Sequence, residues 1–374
     1  MYTYSRHGNN TKSSSSASTS TAGSNRSRER RRLPSASSSA HTSESGVQGT
    51  KRQRPIENDY SNNYLHTRAL STQYIRNIVR PTEGYPKLQK LKELKAHQVA
   101  SHCTKPYGVH VDTNQIVPTL NRWVNQYALQ FDVIMIGALV ENQFLLPLLN
   151  SLPLYKLCAK PGFLFIWTTT ANIKQLTALL NGDKWNKKFR RSEELVFVPV
   201  DENSPYFPTG QNDGFYNDPV NGNCQSLLSR KQWHCWMCIT GTVRRSTDTD
   251  LIHCNIDTDL QMDQKSPGDK GYNNAVPEAI YRVAENFSNS NRRLHIIPCK
   301  TGYRLPVKIR KGWVIMSPDV LVDNFDPVSY EMQLHSNSLV KYKSINNNGC
   351  SKQVPQYLVP QTSEIEALRP KSPV

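Results

Sequence analysis

The sequence predicts an α/β domain with a largely parallel β-sheet. Three observations predict it: several short runs are continuously apolar, stretches with helical spacing lie between them, and glycine or proline separates the two kinds of segment. Strands that are buried on both faces of a parallel sheet are continuously apolar, whereas half-exposed strands alternate. The alternation of such strands with helices therefore favours an α/β fold over an all-β or an all-helical one.

The predicted elements follow one another from residue 85 onwards. The first is a helix that opens at Tyr85–Leu88 and carries leucines at three-residue spacing, with lysines on its other face. A second helix has its apolar stripe between Ile173 and Leu180 and ends at Gly182. A third helix is predicted over Ala279–Phe287. The predicted strands are Phe131–Ile136, Phe163–Thr169, Leu195–Val200, Trp233–Thr240, Leu251–Ile256, Arg293–Pro298 and Trp313–Met316.

Composition divides the chain into three parts. Residues 1–56 contain almost no large apolar side chain, and 15 of the first 50 residues are serine, which is typical of a disordered tail. Residues 57–345 carry the predicted helices and strands. Residues 346–374 are rich in asparagine, proline and glutamine and are predicted to form a second disordered tail. Within the domain, Asp201–Ser229 is a long polar connection, and loops of that length are usually functional or disordered.

The net charge is strongly positive and unevenly distributed. The 46 basic and 30 acidic residues give +16, and ten basic and two acidic residues place +8 of it in residues 1–55. Such an excess favours a polyanionic partner, nucleic acid above all. The clusters Arg26–Arg32 and Lys51–Arg54 are typical of a nuclear-localisation signal or of a loose polyanion contact. The alternative is a tail that only solvates the chain.

Membrane insertion and secretion are both disfavoured. The longest apolar run, Val133–Val140, has 8 residues, against the ~20 that a spanning helix needs. The N-terminal region lacks the apolar segment of a secretory signal. We therefore expect no membrane partner.

The cysteines and the polar residues do not predict an enzyme by themselves. The eight cysteines are scattered through predicted strands, which favours reduced thiols in an intracellular compartment. Cys235 and Cys238 form a C-x-x-C pair, but a structural zinc site needs four ligands and no second pair follows, so we expect core cysteines and no metal. No phosphate-binding loop, nucleophile elbow or paired general acid and base is recognisable.

One segment carries a more specific pattern. Gly241–Asp248 places adjacent arginines and hydroxyl side chains directly after a predicted strand, where an α/β sheet commonly presents its ligand face. Arginine forks and hydroxyls are suited to phosphate and base contacts. A solvated turn with Arg–Asp pairs is the alternative, and the pattern alone does not choose between the two.

The segment Trp236–Leu260 closely resembles the corresponding part of the mRNA N6-adenosine methyltransferase family, in particular its non-catalytic subunit. Co-linear matches at Asn58–Tyr60, Tyr85–Leu88, Phe131–Ile134 and Arg292–His295 extend the resemblance over about residues 57–334. It implies a Rossmann-like S-adenosylmethionine-methyltransferase fold in a degenerate form. The basic serine-rich tail is most similar to that of a yeast branch of the family with a transcriptional role in karyogamy.

Departures from the family pattern fall on its catalytic positions. The Asp-Pro-Pro-Trp motif of catalytic members is matched here by four residues that offer no carboxylate, proline or aromatic ring: Gly137, Ala138, Leu139 and Val140. Val276 stands where a lysine would bind the methionine carboxylate of S-adenosylmethionine, and Cys299 stands at about the position of an arginine near the ribose. An apolar loop also lacks the preorganised polar groups that stabilise developing charge. We therefore expect a pseudo-methyltransferase without a cofactor.

Basic residues are retained at positions that the resemblance associates with RNA. The expected RNA-binding residues are Arg190, Arg191, Arg244, Arg245, Ser246, Thr247, Arg292 and Arg293, joined on one electropositive surface by Lys308, Arg310 and Lys311. Contacts of this kind are mainly with phosphates, so affinity should fall steeply with salt. Scattered, solvent-exposed charges are the alternative for the pairs other than Arg244 and Arg245.

The resemblance also implies a cellular role. It predicts a nuclear, RNA-binding subunit that forms a heterodimer with a catalytic mRNA adenosine methyltransferase subunit and joins its accessory complex. It further implies transcriptional regulation of mating, karyogamy and meiosis genes with a mating-response DNA-binding transcription factor, because no DNA-reading module is recognisable in the sequence. An active adenosine methyltransferase with a rewired pocket and a pure protein-interaction scaffold are the alternatives.

Overall fold

The computed structural model describes residues 79–369, apart from positions 142, 144, 202, 208–231, 242–249, 253–255, 266–267, 269–270, 303–304 and 348–349. These residues belong to one compact unit, Arg54–Val374. Within the described part, none of the helices is both long and apolar enough to cross a membrane. The predicted N-terminal tail, residues 1–56, and most of the predicted long loop Asp201–Ser229 lie outside the described residues.

Helices and strands alternate along most of the described chain. The helices are α1 Pro86–His102, α2 Ile116–Tyr127, α3 Leu145–Ser151, α4 Leu154–Leu157, α5 Thr170–Asn181, α6 Asp183–Asn186, α7 Glu278–Phe287, α8 Pro327–Asn337 and α9 Ser363–Leu368. The strands are β1 Tyr107–His110, β2 Phe131–Ile136, β3 Cys158–Thr169, β4 Phe189–Pro199, β5 Trp233–Thr240, β6 Leu260–Asp263, β7 Arg293–Ile296, β8 Val314–Ser317, β9 Leu339–Asn347 and β10 Cys350–Leu358.

Eight of these strands form one sheet in the order β1-β8-β7-β2-β3-β5-β4-β6. Strand β5 pairs antiparallel with β3 and with β4, whereas the other described pairings in this sheet are parallel. The prediction of an α/β, Rossmann-like fold with a largely parallel sheet is therefore confirmed. The reversal of β5 decides where the following loop lies, as described below.

The continuous apolar runs reflect burial on both faces of the sheet. All six residues of β2 are buried. Ile134 packs in one apolar cluster with Leu120 and Trp123 of α2. Met135 packs in the opposite cluster with Ile280 of α7. Because side chains alternate along a strand, a strand that is covered on both faces must be apolar at every position.

Two predicted elements differ from the structure. Helix α1 buries Leu88 and Leu91 as predicted, but Lys95 is buried too, and its ammonium group donates to Asn286 O at 2.8 Å. The predicted strand Leu251–Ile256 is wrong in its described part, where Ile252 makes only an isolated bridge to Ser288. The neighbouring strand instead forms at Leu260–Asp263, because that segment pairs in parallel with β4.

The predicted disordered tail from residue 346 is also wrong. Strand β10 pairs antiparallel with β9, and Leu358 bridges to Ser290 beside the main sheet. Helix α9 begins after Thr362, whose side-chain oxygen accepts from Ile365 N. Ile365 is fully buried in a cluster with Leu88 of α1. The segment is polar overall, and this composition led to the prediction of a disordered tail. Its few apolar residues, such as Leu358 and Ile365, nevertheless order it, because each one is buried against the rest of the domain.

Candidate functional site

The degenerate motif forms a closed loop at the carboxyl end of β2. Ala138 N donates to Gln143 Oε1 at 3.1 Å, and Gln143 Nε2 donates back to Ala138 O at 2.8 Å. Ala138, Leu139 and Val140 are buried in the apolar cluster on one face of the sheet. The Gln143 side chain therefore satisfies the backbone of the loop, and the four positions Gly137–Val140 present no ionisable group.

Gly137 leaves no room for a side chain. Its φ of +86° lies in the left-handed region, which L residues other than glycine rarely adopt. A Cβ atom at this position would lie 2.6 Å from Trp167 O and 2.8 Å from Gln143 Oε1. A carboxylate could enter here only if the backbone of this loop and of β3 moved apart.

Two hydrogen bonds between uncharged groups link the loop to β7 and α7. His295 Nε2 lies 2.8 Å from Gly137 O, and the Tyr281 hydroxyl lies 2.8 Å from His295 Nδ1. Since a carbonyl oxygen only accepts, Nε2 carries the proton and Tyr281 donates to Nδ1. Burial lowers the pKa of His295 to about 4, and it raises the pKa of the Tyr281 phenol well above its usual range. Both groups are therefore uncharged at neutral pH and position the loop.

The two other positions that the resemblance assigns to cofactor binding do not fit S-adenosylmethionine. Val276 is 1% exposed and packs in the apolar cluster, so it offers no cation for a carboxylate. Burial, together with Asp319, raises the pKa of the Cys299 thiol to about 11, so this side chain is a neutral thiol rather than the guanidinium of the family pattern. The residues present at these positions therefore cannot replace the contacts that the resemblance associates with the cofactor.

The basic segment after β5 starts from the opposite edge of the sheet. Thr240 is paired with Gly162 at the beginning of β3, whereas the carboxyl end of β2 is paired further along β3, where Ile136 meets Ile166. Gly241 therefore lies at the amino-terminal edge of the parallel strands, away from Gly137. The prediction that this segment follows the usual ligand face of the sheet is wrong, because that rule holds for a parallel strand and β5 is antiparallel.

Arg190 and Arg191 also lie at this amino-terminal edge, but on opposite faces of the sheet. Arg190 pairs in register with Ile239 and is exposed, whereas Arg191 pairs with Cys238 on the other face. The Arg191 guanidinium lies 4.6 Å from the centroid of the Trp236 ring, a cation–π contact. The two arginines therefore reach ligands from different sides and do not act as a tandem clamp.

Arg292 and Arg293 are buried, which contradicts their predicted place on an RNA-binding surface. The Arg292 guanidinium donates to both carboxylate oxygens of Asp132, at 2.8 and 2.7 Å, and Arg293 is 0% exposed. Their function is to hold the start of β7 to its neighbours. Arg310 is likewise engaged, since it donates to both carboxylate oxygens of Glu285 at 2.8 and 2.9 Å.

The remaining predicted site residues either lie apart from one another or fall outside the part of the chain that the structure describes. Lys308 and Lys311 are exposed. Arg244, Arg245, Ser246 and Thr247 lie outside the described residues. Cys235 and Cys238 belong to different apolar clusters on the two faces of the sheet, so the C-x-x-C pair cannot chelate one ion. In the described part of the chain, no three His, Cys, Asp or Glu side chains are grouped so that they could hold a metal.

Comparison with known proteins identifies the family of this fold. The family model described as MT-A70 matches residues 123–313, about half of the chain. The chain belongs to the MT-A70 family. The resemblance found in the sequence is thereby confirmed, and the closed loop at Gly137 lies within the matched MT-A70 region.

Curated relatives of this MT-A70 chain include both yeast and animal proteins. The Karyogamy protein KAR4 of Saccharomyces cerevisiae is 51% identical over 317 residues, which cover 85% of either chain. The N(6)-adenosine-methyltransferase non-catalytic subunit METTL14 of Xenopus laevis is 27% identical over 91% of this chain and 68% of its own. The non-catalytic subunit MTB of Arabidopsis thaliana is 28% identical over 59% of this chain and 28% of its own.

Gln143, the Tyr281–His295 pair and Asp132 are the residues of this site that sequence reasoning missed. Asp132 did carry a signal, since a single acidic residue inside a continuously apolar strand requires a buried partner. Gln143 and His295 carried none, because the groups of the loop that they bind are backbone carbonyl or amide groups, which every residue has.

Proposed function

We propose that this chain is a non-catalytic MT-A70 subunit that forms a heterodimer with a catalytic mRNA N6-adenosine methyltransferase subunit and joins its accessory complex. The observation that carries the proposal is the loop at Gly137, which is closed by Gln143 and has no space for the catalytic carboxylate. The names of METTL14 and MTB as non-catalytic subunits support it. In this role the chain stabilises the catalytic subunit and helps to hold its RNA.

RNA binding is assigned to the amino-terminal edge of the sheet. Arg190 is exposed there, and the segment with Arg244, Arg245, Ser246 and Thr247 follows Gly241, which lies at the same edge. Flexible basic side chains bind mainly through phosphates and release counterions, so affinity should decrease steeply as salt rises. Arg292 and Arg293 are excluded from this surface by their burial.

The cellular part of the proposal is a nuclear role in transcription. The name of KAR4 supports a function in karyogamy and hence in the mating programme. The serine-rich, basic N-terminal region contains the clusters Arg26–Arg32 and Lys51–Arg54, which are suited to nuclear import. Regulation of mating and meiosis genes would act through a mating-response DNA-binding transcription factor.

Calorimetric titration of S-adenosylmethionine into the full chain tests the absence of catalysis. We expect no binding by the chain alone and clear binding by its complex with the catalytic subunit, which serves as the positive control. Micromolar affinity for the isolated chain would overturn the proposal and favour an active methyltransferase with a rewired pocket.

Charge reversal tests the RNA role against a pure scaffold. A variant with Arg190→Glu, Arg244→Glu and Arg245→Glu should bind RNA much more weakly at low salt while still forming the heterodimer. Arg282→Glu is the matched control, because Arg282 is exposed on α7 and pairs only with the exposed Glu278 in the described structure. Unchanged RNA affinity in the triple variant would favour the scaffold.

Affinity purification and microscopy in vegetative and mating yeast cells test the cellular role. We expect nuclear fluorescence, co-purification of the methyltransferase subunit, and recovery of a DNA-binding transcription factor from mating cells. A protein that stays outside the nucleus in both states would contradict the transcriptional part.

A further inference from the structure

Tyr155 is an exposed aromatic side chain whose position the fold does not require. It lies in the short helix α4, where its neighbours Leu154 and Leu157 are buried in the core. Tyr155 itself is 50% exposed, and among the described residues no hydrogen bond holds its hydroxyl group. The leucines account for the packing of α4, so the aromatic ring at position 155 is available for a ligand.

Two lysines hold their ammonium groups beside this ring. Lys188 Nζ lies 4.2 Å and Lys156 Nζ 6.0 Å from the ring centroid. Both lysines are exposed, and Lys184 nearby donates to Asn150 O at 3.2 Å. Cation–π attraction at these distances orients the ring and keeps two positive charges next to it. Lys188 lies over one face of the ring, and a base would stack on the other. Single-stranded nucleic acid binding combines such aromatic side chains with a basic surface and with cation–π contacts.

The surrounding sequence is strongly basic. Residues 151–191 contain a single acidic residue, Asp183, and eight basic ones: Lys156, Lys160, Lys174, Lys184, Lys187, Lys188, Arg190 and Arg191. Five of these eight lie within residues 184–191, at α6 and the start of β4. A field of this sign attracts a polyanion to the surface that bears Tyr155.

A second aromatic–cation pair follows on the same side of the sheet. Arg191 lies over the half-buried ring of Trp236, and the buried rings of Trp185 and Phe189, on either side of Lys188 in the sequence, contact each other. Lys188 and Arg191 are three residues apart, so their Cα atoms are separated by at most about 10 Å. This second pair lies further along the sheet than Gly241, because Trp236 pairs with Ile166, which also meets Ile136 at the carboxyl end of β2.

We propose that Tyr155 is a stacking platform for one base of single-stranded RNA, with Lys156 and Lys188 bound to the flanking phosphates. This inference rests on the proposed function and specifies it: the bound RNA is single-stranded, since only an unpaired base exposes its face to a side chain. Stacking tolerates every base, so Tyr155 contributes affinity without fixing the sequence.

The test measures binding of a fluorescent single-stranded RNA of twelve nucleotides, and of its duplex, to the full chain. Tyr155→Ala should weaken single-strand binding about 5- to 150-fold, the range expected for loss of one base stack. Duplex binding and the slope of affinity against salt should not change, because the phosphate contacts remain. Tyr155→Phe should bind as the unmodified chain does. Lys188→Ala should instead reduce the salt slope by about 0.7, the value for one phosphate of a single strand.

The outcomes separate the two proposals. If the unmodified chain does not bind RNA, both fail. If it binds RNA and Tyr155→Ala binds equally well, the stacking platform is refuted while the RNA role stands. Equal losses for single strand and duplex in Tyr155→Ala would also refute stacking. Because Tyr155 is exposed, both variants should keep the unfolding midpoint of the unmodified chain, which checks that a loss of binding is not a loss of fold.

Discussion

Replacing Gly137 by alanine should destabilise the fold far more than its left-handed backbone alone would require. A residue with a Cβ costs about 1 kcal/mol at a φ of +86°. The added Cβ would also lie 2.6 Å from Trp167 O and 2.8 Å from Gln143 Oε1. If Gln143 moves away, its two hydrogen bonds to Ala138 are lost, at about 1 kcal/mol each. The expected total is therefore about 3 kcal/mol.

Gly84 provides a matched control for the backbone contribution. Its φ is +84°, and a Cβ atom there would meet nothing within 4 Å. Gly84→Ala should therefore cost only about 1 kcal/mol. Urea unfolding of the full chain, followed by tryptophan fluorescence and far-UV circular dichroism, gives both values, provided that the urea dependence of the unfolding free energy is unchanged between variants.

The difference between the two glycine variants isolates the closure of the loop. A loss at Gly137 that equals the loss at Gly84 would show that Trp167 and Gln143 relax freely, and it would refute the sterically closed loop on which the proposed non-catalytic role depends. The double variant Gly137→Ala with Gln143→Ala provides a second check. Its loss should be smaller than the sum of the two single losses by more than about 0.5 kcal/mol, because both substitutions break the same contacts.

Three further predictions follow from buried groups. Asp132→Asn should cost about 3–5 kcal/mol in urea unfolding, since it leaves the buried Arg292 charge unpaired, and the apolar double replacement Asp132→Leu with Arg292→Met should recover most of the loss. The pKa of His295 is about 4 in the folded chain and 6.5 in the unfolded chain, so the unfolding free energy should fall by about 3 kcal/mol as the pH decreases from 6.5 to 4. The variant His295→Gln should show a much weaker pH dependence. A chain ending at residue 349 should have an unfolding free energy at least about 3 kcal/mol lower than that of a chain ending at residue 369, because it lacks the buried Leu358 and Ile365. Equal unfolding free energies would contradict the packing role of these two residues.

Much of the central sheet could be predicted from local sequence pattern. The run Phe131–Ile136 and the segment Trp233–Thr240 are strands with the predicted bounds, since a largely apolar run of that length that ends at a glycine is compatible with few other structures. Strand β6 and the hairpin β9–β10 escaped prediction, because they contain few apolar residues and depend on pairing with distant segments.

The sequence predicted the composition of the loop at Gly137 but not the burial of Arg292. The four positions Gly137–Val140 could be recognised as lacking catalytic groups, because the absence of a carboxylate is a property of the sequence itself. The fate of Arg292 could not be predicted, since its partner Asp132 is 160 positions away and an adjacent pair of arginines has the same local pattern whether it is buried or exposed. Lys95 shows the same limit, because a lysine on a helix is usually solvated and this one is buried by contacts with Asn286 and Asn289.

The sequence by itself determined most strands of the central sheet, the basic character of the chain and the absence of a carboxylate at Gly137–Val140, because each of these is fixed by residue type and spacing. The tertiary structure decided which basic side chains are exposed and at which edge of the sheet they lie. The physical reason is the direction of β5: its antiparallel pairing carries Gly241 to the edge opposite Gly137, and strand direction depends on long-range partners rather than on the apolar run that forms the strand.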